Sequence, residues 1–472
     1  MSTIRTLAAL ALAAILLHGC GKGDSLPDDA RTRAADQQVR AKWGKPLADL
    51  PTDTLVAISP HNENIRNEYQ WAFSLHHAVQ YGRRVDIEWR SVGGGTNTIV
   101  TYLRSVYGAG DGNSGIDILW GGGDFAFTSL AKQGILQPLT LPGDVLQNVP
   151  AALGAVRMYD ANLYWVGSAV SAFGYVYNAT MLSRCRIAPP DGTWDDLGDR
   201  RFADLVSVAD PTQSGSAAAA YQMIARSGET WPDGWGKLLR ILANAKRFTD
   251  SAGTSASAPS LGEALVATCI DFYGALRVEE APGQIVYVSP RGQTAFSPDP
   301  IGILKNPPHA ELAQRFVDFV MSAPGQALWG LRVGLPDGPA RSALGRQPIR
   351  KDVYETYKGQ FLDSIVNPYQ AGQSMSLEGF RGKIDYDVLK YLVGAAAVDN
   401  VADLRAARDA LAKAGSPPDL LAEFRRLPAN VDTVEKMGAI AKDLKDETKR
   451  DEIVSGWQTF FRDKYRGIAK GR

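Results

Sequence analysis

Residues Gly115–Phe125 read GIDILWGGGDF. Ile116 to Trp120 form a short, largely apolar run, and three glycines followed by Asp124 end it. A run of this length bounded by turn residues reads as a buried strand with a glycine-rich exit loop. The same grammar appears upstream. Leu55-Val56-Ala57-Ile58 is a continuous apolar run closed by the turn Ser59-Pro60-His61-Asn62, Ile65 to Tyr81 carry helical spacing, and Val85 to Trp89 alternate as a strand. Gly93-Gly94-Gly95-Thr96 then opens a helix through Tyr107. Strand, glycine-rich loop and helix repeat in order, which predicts an open α/β sheet. Ligands of such sheets bind at the carboxyl ends of the strands, where these loops lie.

A second series begins near Tyr164. Ala172 to Tyr177 read as a strand passing between two lobes, Trp194 and Leu197 as a helix start, and Leu205 to Ala209 as a strand. That strand ends in Asp210-Pro211-Thr212-Gln213-Ser214-Gly215-Ser216, and a helix follows from Ala217 to Arg226. Gly262 to Ala267 read as helix, Thr268 to Tyr273 as strand, and Ile285 to Val288 as the strand that crosses back. Glu311 to Met321 are an amphipathic helix. From Lys351 onward the sequence is helical and charged, with Val401, Leu404, Ala407 and Leu411 on one face.

The N-terminus carries Arg5, an apolar run from Leu7 to Leu17, and Gly19 before Cys20. The run is well short of the ~20 residues a spanning helix needs, so it reads as a signal peptide with lipidation at Cys20. Three cysteines less Cys20 leave Cys185 and Cys269, either a disulfide or two separate thiols. Lys plus Arg and Asp plus Glu both total 51, so no global field recruits nucleic acid.

Several stretches resemble one family, the periplasmic type II solute-binding proteins of ABC transporters, of the ferric-ion, phosphonate and sugar-phosphate kind. The resemblance runs from about Thr54 to Arg350 and rests on GIDILWGGGDF with LAKQGILQPL (Leu130–Leu139), VADPTQSGSA (Val208–Ala217), Gly262–Tyr273 and the helix Ala310–Gly330. It implies an α/β fold of two lobes with hinge crossovers, followed by a C-terminal α-helical extension. The expected division is a signal peptide at 1–19, a lipid-anchored tether at 20–50, lobe 1 at 51–157 and 289–350, lobe 2 at 158–288, and the extension at 351–472. It further implies a monomeric, lipid-anchored receptor in the periplasm or cell envelope. That receptor captures a small polar ligand, anionic or sugar-like, between the lobes and delivers it to an ABC transporter permease. Transport without catalysis and without a cofactor is the expectation.

Ser214, Gly215 and Ser216 lie between a strand and a helix, where unpaired amides and hydroxyls suit an anion or simply cap the helix. Gly93 to Thr96 and Gly121 to Gly123 bring backbone amides near a ligand, and neither has P-loop or dinucleotide spacing. For a sugar or a small phosphorylated or carboxylated ligand, Asn62, Thr96, Asp124 and Asp271 offer polar contacts, and Tyr273 and Trp120, at a strand end, offer flat surface, whereas Trp89 reads as core. The ferric-binding design uses two adjacent tyrosines. Here that pair reads Phe272-Tyr273, so His61, Asp124, Asp271 and Tyr273 remain as the alternative N and O donors for a metal. A secreted hydrolase on the same scaffold is a second alternative. However, His76-His77 read as helix-packed, and Ser214 lacks the nucleophile elbow and any placed partner.

Overall fold

The computed structural model describes residues 26–109, 112–154, 156–370 and 384–471. The expected signal peptide and Cys20 lie outside the described residues. Residues 26–54 with 70–86 form one compact unit, and residues 55–69 with 87–471 form the other.

In the first unit the helix Ala30–Trp43 starts at Asp29, whose side chain accepts from the Thr32 amide at 2.8 Å, and stops at Gly44 with φ 68°. Its Ala35 and Val39 pack with Leu47, Leu50, Leu75 and Ala78. The tether expected through residue 50 is therefore folded from Ala30. Its apolar stripe of one alanine and one valine is too thin to stand out among the charges around it. His77 is buried with Nδ1 2.8 Å from the Arg83 carbonyl oxygen.

Strands β1 (Thr52–Ile58), β2 (Arg84–Arg90), β3 (Ile118–Trp120) and β4 (Leu136–Gln137) come first, and β5 (Ala152–Leu153) with β6 (Val156–Arg157) form a hairpin. They are followed by β7 (Val166–Ser171), β8 (Phe173–Asn178), β9 (Val206–Ala209), β10 (Ala245–Thr249), β11 (Val266–Ile270), β12 (Ile285–Val288) and β13 (Ser297–Leu304). One sheet runs β2-β1-β3-β13-β4 with β7 paired to β13, and the other runs β10-β9-β11-β8-β12. β1 and β3 are parallel, as are β10, β9 and β11, while β13 and β8 run against their neighbours. Each sheet is the floor of one lobe, which gives the two-lobed α/β architecture expected from the sequence.

The chain leaves the first sheet after Ser171 and enters the second at Phe173, with Ala172 alone between them. It returns between Val288 and Ser297. Residues 158–171 thus belong with the first sheet rather than with lobe 2, because the switch falls at Ala172 alone, between two strands that follow each other directly. Gly262 to Ala267 are not helical, and the strand expected over Thr268 to Tyr273 is β11, which ends at Ile270. Asp271 to Glu280 are helix. Trp194 precedes, and Leu197 lies within, only a short 3-10 turn, Asp195–Gly198. Cys185 is exposed and Cys269 buried, both as free thiols, which corrects the disulfide reading.

Beyond Ile384 the described residues are helical or in turns: Tyr386–Val393, a π turn Gly394–Val398, Val401–Lys413, Pro418–Phe424, Val434–Ile440 and Glu447–Ala469. Leu389, Leu392, Leu404, Trp457, Phe461 and Tyr465 enter the same buried cluster as Trp231, Trp235, Leu238 and Val206 of lobe 2. Trp235 and Phe461 rings lie 5.8 Å apart, and the Trp231 indole donates to the Val431 carbonyl at 2.8 Å. At about 1.5–3 kcal/mol per fully buried large apolar side chain, this interface fuses the extension to lobe 2. Residues 351–370 sit elsewhere: the Leu362 amide donates to the Gly330 carbonyl and the Tyr354 hydroxyl to that of Pro348.

Candidate functional site

Three helices begin where the two lobes meet. Thr96–Ala109 and Asp124–Lys132 belong to lobe 1, and Gly215–Arg226 to lobe 2. Their starts converge. A Cβ placed on Gly122 would lie 2.7 Å from the Thr96 methyl carbon, and one on Gly215 would lie 3.7 Å from Thr96 Cβ. Gly121, Gly122 and Gly123 all have φ between 84° and 112°, so the loop both turns and approaches in a way a side chain would block. Helix starts present amide donors and a positive dipole end, so a point where three of them meet has the polarity that suits an anion.

The residues around that point differ in freedom. Ser214 is buried, and its Oγ accepts from the Ala217 amide at 3.3 Å, so it caps the helix. Asp210 braces the loop by accepting from the Thr212 amide and hydroxyl and from Gln213. Ser216 and Thr96 are partly exposed. Burial pushes the Asp124 carboxyl up to about 6, against its own helix-start amides, which favour the anion.

A second part of the cleft is a cavity of about 300 Å³ between Asn62, Glu63 and Asn64 of lobe 1 and Gly253, Ala256, Ser257, Tyr273, Leu276 and Arg277 of lobe 2. Asn62 accepts from the Ile65 amide at 3.0 Å, and the Tyr273 ring lies against Phe272 with centroids 4.3 Å apart. The cavity therefore offers a phenol, a carboxylate, a guanidinium and amides to a polar ligand.

Three expected site residues are not in the cleft. Trp120 is fully buried, with its indole donating to Ser168 Oγ at 2.9 Å amid Tyr69, His61 and Trp329, because its strand turns it into the lobe. Asp271 accepts from the Ala172 amide at 2.8 Å and the Phe272 amide at 2.8 Å, so it pins the crossover; burial raises its carboxyl to about 6. His61 is consumed by structure. Its Nε2 lies 2.7 Å from Asp299 Oδ2 and 3.0 Å from Arg346 Nη1. A guanidinium at that distance repels a cation, which removes His61 from the metal set of His61, Asp124 and Tyr273. Among the described residues no cluster of three or more His, Cys, Asp or Glu could hold a metal.

Sequence reasoning missed this buried network. Arg346 donates to Asp299 Oδ2 at 2.5 Å and to Ser171 Oγ at 3.0 Å, with its guanidinium 4.4 Å from the Phe272 ring. Asp299 also accepts from the Gly122 amide at 2.8 Å. Burial alone pushes Asp299 up, but Arg346 and His61 outweigh it and hold the carboxyl well below the usual range. The network ties the first crossover at Ser171 to the glycine loop at Gly122.

Residues 113–344 match the family model of bacterial extracellular solute-binding proteins. The phosphoglycerate transport regulatory protein PgtC of Salmonella typhimurium is 26% identical over 184 residues, covering 39% of this chain and 45% of that protein. An uncharacterized protein of Haemophilus influenzae is 22% identical over 253 residues, covering 52% and 69% respectively. The chain thus spans less than half of PgtC. Among solved structures, the periplasmic binding protein P5PA aligns with TM-score 0.53 and 19% identity over 71% of this chain and 94% of its own. Apo ferric ion-binding protein A of Pasteurella haemolytica aligns with TM-score 0.53 and 13% identity over 72% and 96%. These structures share the fold.

Proposed function

We propose, from the match of residues 113–344 to the family model of bacterial extracellular solute-binding proteins, that this chain is the extracytoplasmic receptor of an ABC transporter. It captures a small polar ligand bearing an anionic group. The observation that carries this is the convergence of helix starts from both lobes at Thr96, Gly122 and Gly215. An anion there meets amides oriented before it arrives, so binding costs little reorganisation. The interlobe cavity at Asn62, Glu63, Tyr273 and Arg277 has the size and mixed polarity for a small polar molecule. The chemistry fits a phosphorylated or carboxylated metabolite, and the phosphoglycerate connection of PgtC's name supports the phosphorylated class. The receptor acts as a monomer, without catalysis or a cofactor, anchored through Cys20 and handing its ligand to a permease.

The test is calorimetric titration with inorganic phosphate, 3-phosphoglycerate, a hexose phosphate, the free hexose and ferric citrate. Binding of a phosphorylated compound, weakened on the order of 10-fold or more by Ser214→Ala with Ser216→Ala, is the expected result, since hydrogen bonds to a charged group contribute about 1.5–3 kcal/mol each. Ferric binding alone, or tight binding of free hexose untouched by the serine changes, would refute the anion seat.

A further inference from the structure

The C-terminal extension reaches the cleft. Its first described helix, Tyr386–Val393, is held to lobe 2 by Gln222, which donates to the Ile384 carbonyl at 2.8 Å. Val388, Leu389 and Leu392 enter the lobe 2 core, and Gly394 lies so close to Thr212 that an added Cβ would stand 3.1 Å from its methyl carbon. At the head of this helix the Tyr386 hydroxyl donates to the Gly215 carbonyl at 3.1 Å. Its ring is stacked on Phe125, with centroids 4.9 Å apart and an interplanar angle of 20°. Phe125 follows Asp124 at the start of its lobe 1 helix, and it is still 43% exposed, so a large aromatic side chain stands at the surface with Tyr386 as its ring partner.

We propose that Tyr386 and Phe125 form a latch, by which the extension holds the two lobes together over the anion seat in the absence of ligand. Tyr386 moves with lobe 2, and Phe125 moves with lobe 1. Rotation of the lobes about the crossovers at Ala172 and Val288–Ser297 must part the stack, whereas the Tyr386–Gly215 hydrogen bond lies within lobe 2 and survives opening. The hydroxyl therefore aims the ring, and the ring does the latching. An offset aromatic pair favours the joined arrangement by about two- to tenfold in population. A receptor biased in this way spends more of its ligand-free time closed than one without the extension.

The proposal rests on reading the interlobe cleft as the binding site, and its test needs no ligand. Small-angle scattering is recorded on full-length protein shown by mass spectrometry to hold no small molecule, for the wild type, Phe125→Ala, Tyr386→Ala and Tyr386→Phe. The latch predicts a larger radius of gyration for Phe125→Ala and Tyr386→Ala, and a near wild-type value for Tyr386→Phe, which keeps the ring. Phe125→Ala changes an exposed side chain on the opposite lobe, so it remains informative if Tyr386→Ala fails to fold. A Phe125→Ala profile superimposable on the wild type, or a wild type already as extended as the variants, would overturn the latch. The titrations with phosphate and 3-phosphoglycerate report separately on the cleft. Expansion of the variants with no binding of any phosphorylated compound keeps the latch and rejects the anion reading.

Discussion

Replacing Arg346 by methionine tests whether the buried network behind the cleft is held by charge. Arg346 is 1% exposed and bonded to Asp299 at 2.5 Å, with His61 Nε2 2.7 Å from the same carboxylate oxygen. Methionine fills much of the volume but leaves Asp299 with His61 as its nearest cationic candidate. Breaking a buried pair by removing one partner costs about 3–5 kcal/mol. The cost should depend on pH in a definite direction. In the wild type burial holds His61 below its ordinary value; Asp299 opposes this and Arg346 adds to it. His61 therefore contributes stability that is present above about pH 6.5 and lost as pH falls toward its depressed value. Removing the guanidinium raises the His61 pKa, so the variant loses less on acidification, by about 1.4 kcal/mol for each unit of rise. Arg346→Met should thus cost the full 3–5 kcal/mol at pH 8 and clearly less at pH 5. Urea unfolding at both pH values, followed by tryptophan fluorescence, is a suitable assay, because the Trp120 and Trp329 rings lie 4.6 and 6.0 Å from His61. An equal cost at pH 5 and pH 8 would refute the idea that His61 and Arg346 compete for Asp299.

Asp124, with its carboxyl near 6 in the folded protein, lowers stability as pH rises from about 4 to 6; Asp124→Asn should raise the melting temperature at pH 8 and leave it nearly unchanged at pH 4. A loss at pH 8 would count against burial as the cause. In protein lacking Cys20, one thiol should react with a disulfide reagent at once and one only on unfolding, since Cys185 is exposed and Cys269 buried. Two unreactive thiols in the native state, released by reductant, would restore the disulfide. Phe461→Ala should destabilise lobe 2 by about 3–5 kcal/mol, measured by chemical unfolding; a cost below about 1 kcal/mol would mean that the extension packs loosely.

The repeating strands and glycine loops were legible because local pattern and tertiary role agree there: Leu55–Ile58 and Ile118–Trp120 are buried strands, and Gly121 to Gly123 are where the chain must turn at positive φ. The Ser214–Ser216 helix start was legible for the same reason. What failed was what depends on direction or distance. Trp120 ends a strand, yet which face it takes depends on register, and that register places it beside Tyr69 and Trp329. The β11 boundary slipped because Asp271 looks like part of an apolar run rather than the first residue of a helix. Asp299 and Arg346 were passed over because a lone charge in sequence reads as surface, and their pairing joins segments 47 positions apart. Tyr386 carried no local signal at all.

The shared core of lobe 2 and the extension also bears on the order in which the chain can fold. Trp231 finds its hydrogen-bond acceptor at Val431, 200 positions later, and Lys464 reaches back to the Phe424 and Arg426 carbonyls at 2.8 Å. During synthesis the first sheet gains its last strand, β13, long before the final helix exists. Lobe 2 must wait with Trp235 uncovered until Phe461 emerges. Contacts so distant in sequence make closure of this core a late and slow event, and a chain that stops short of its last helix leaves Trp235 without the Phe461 ring that packs on it.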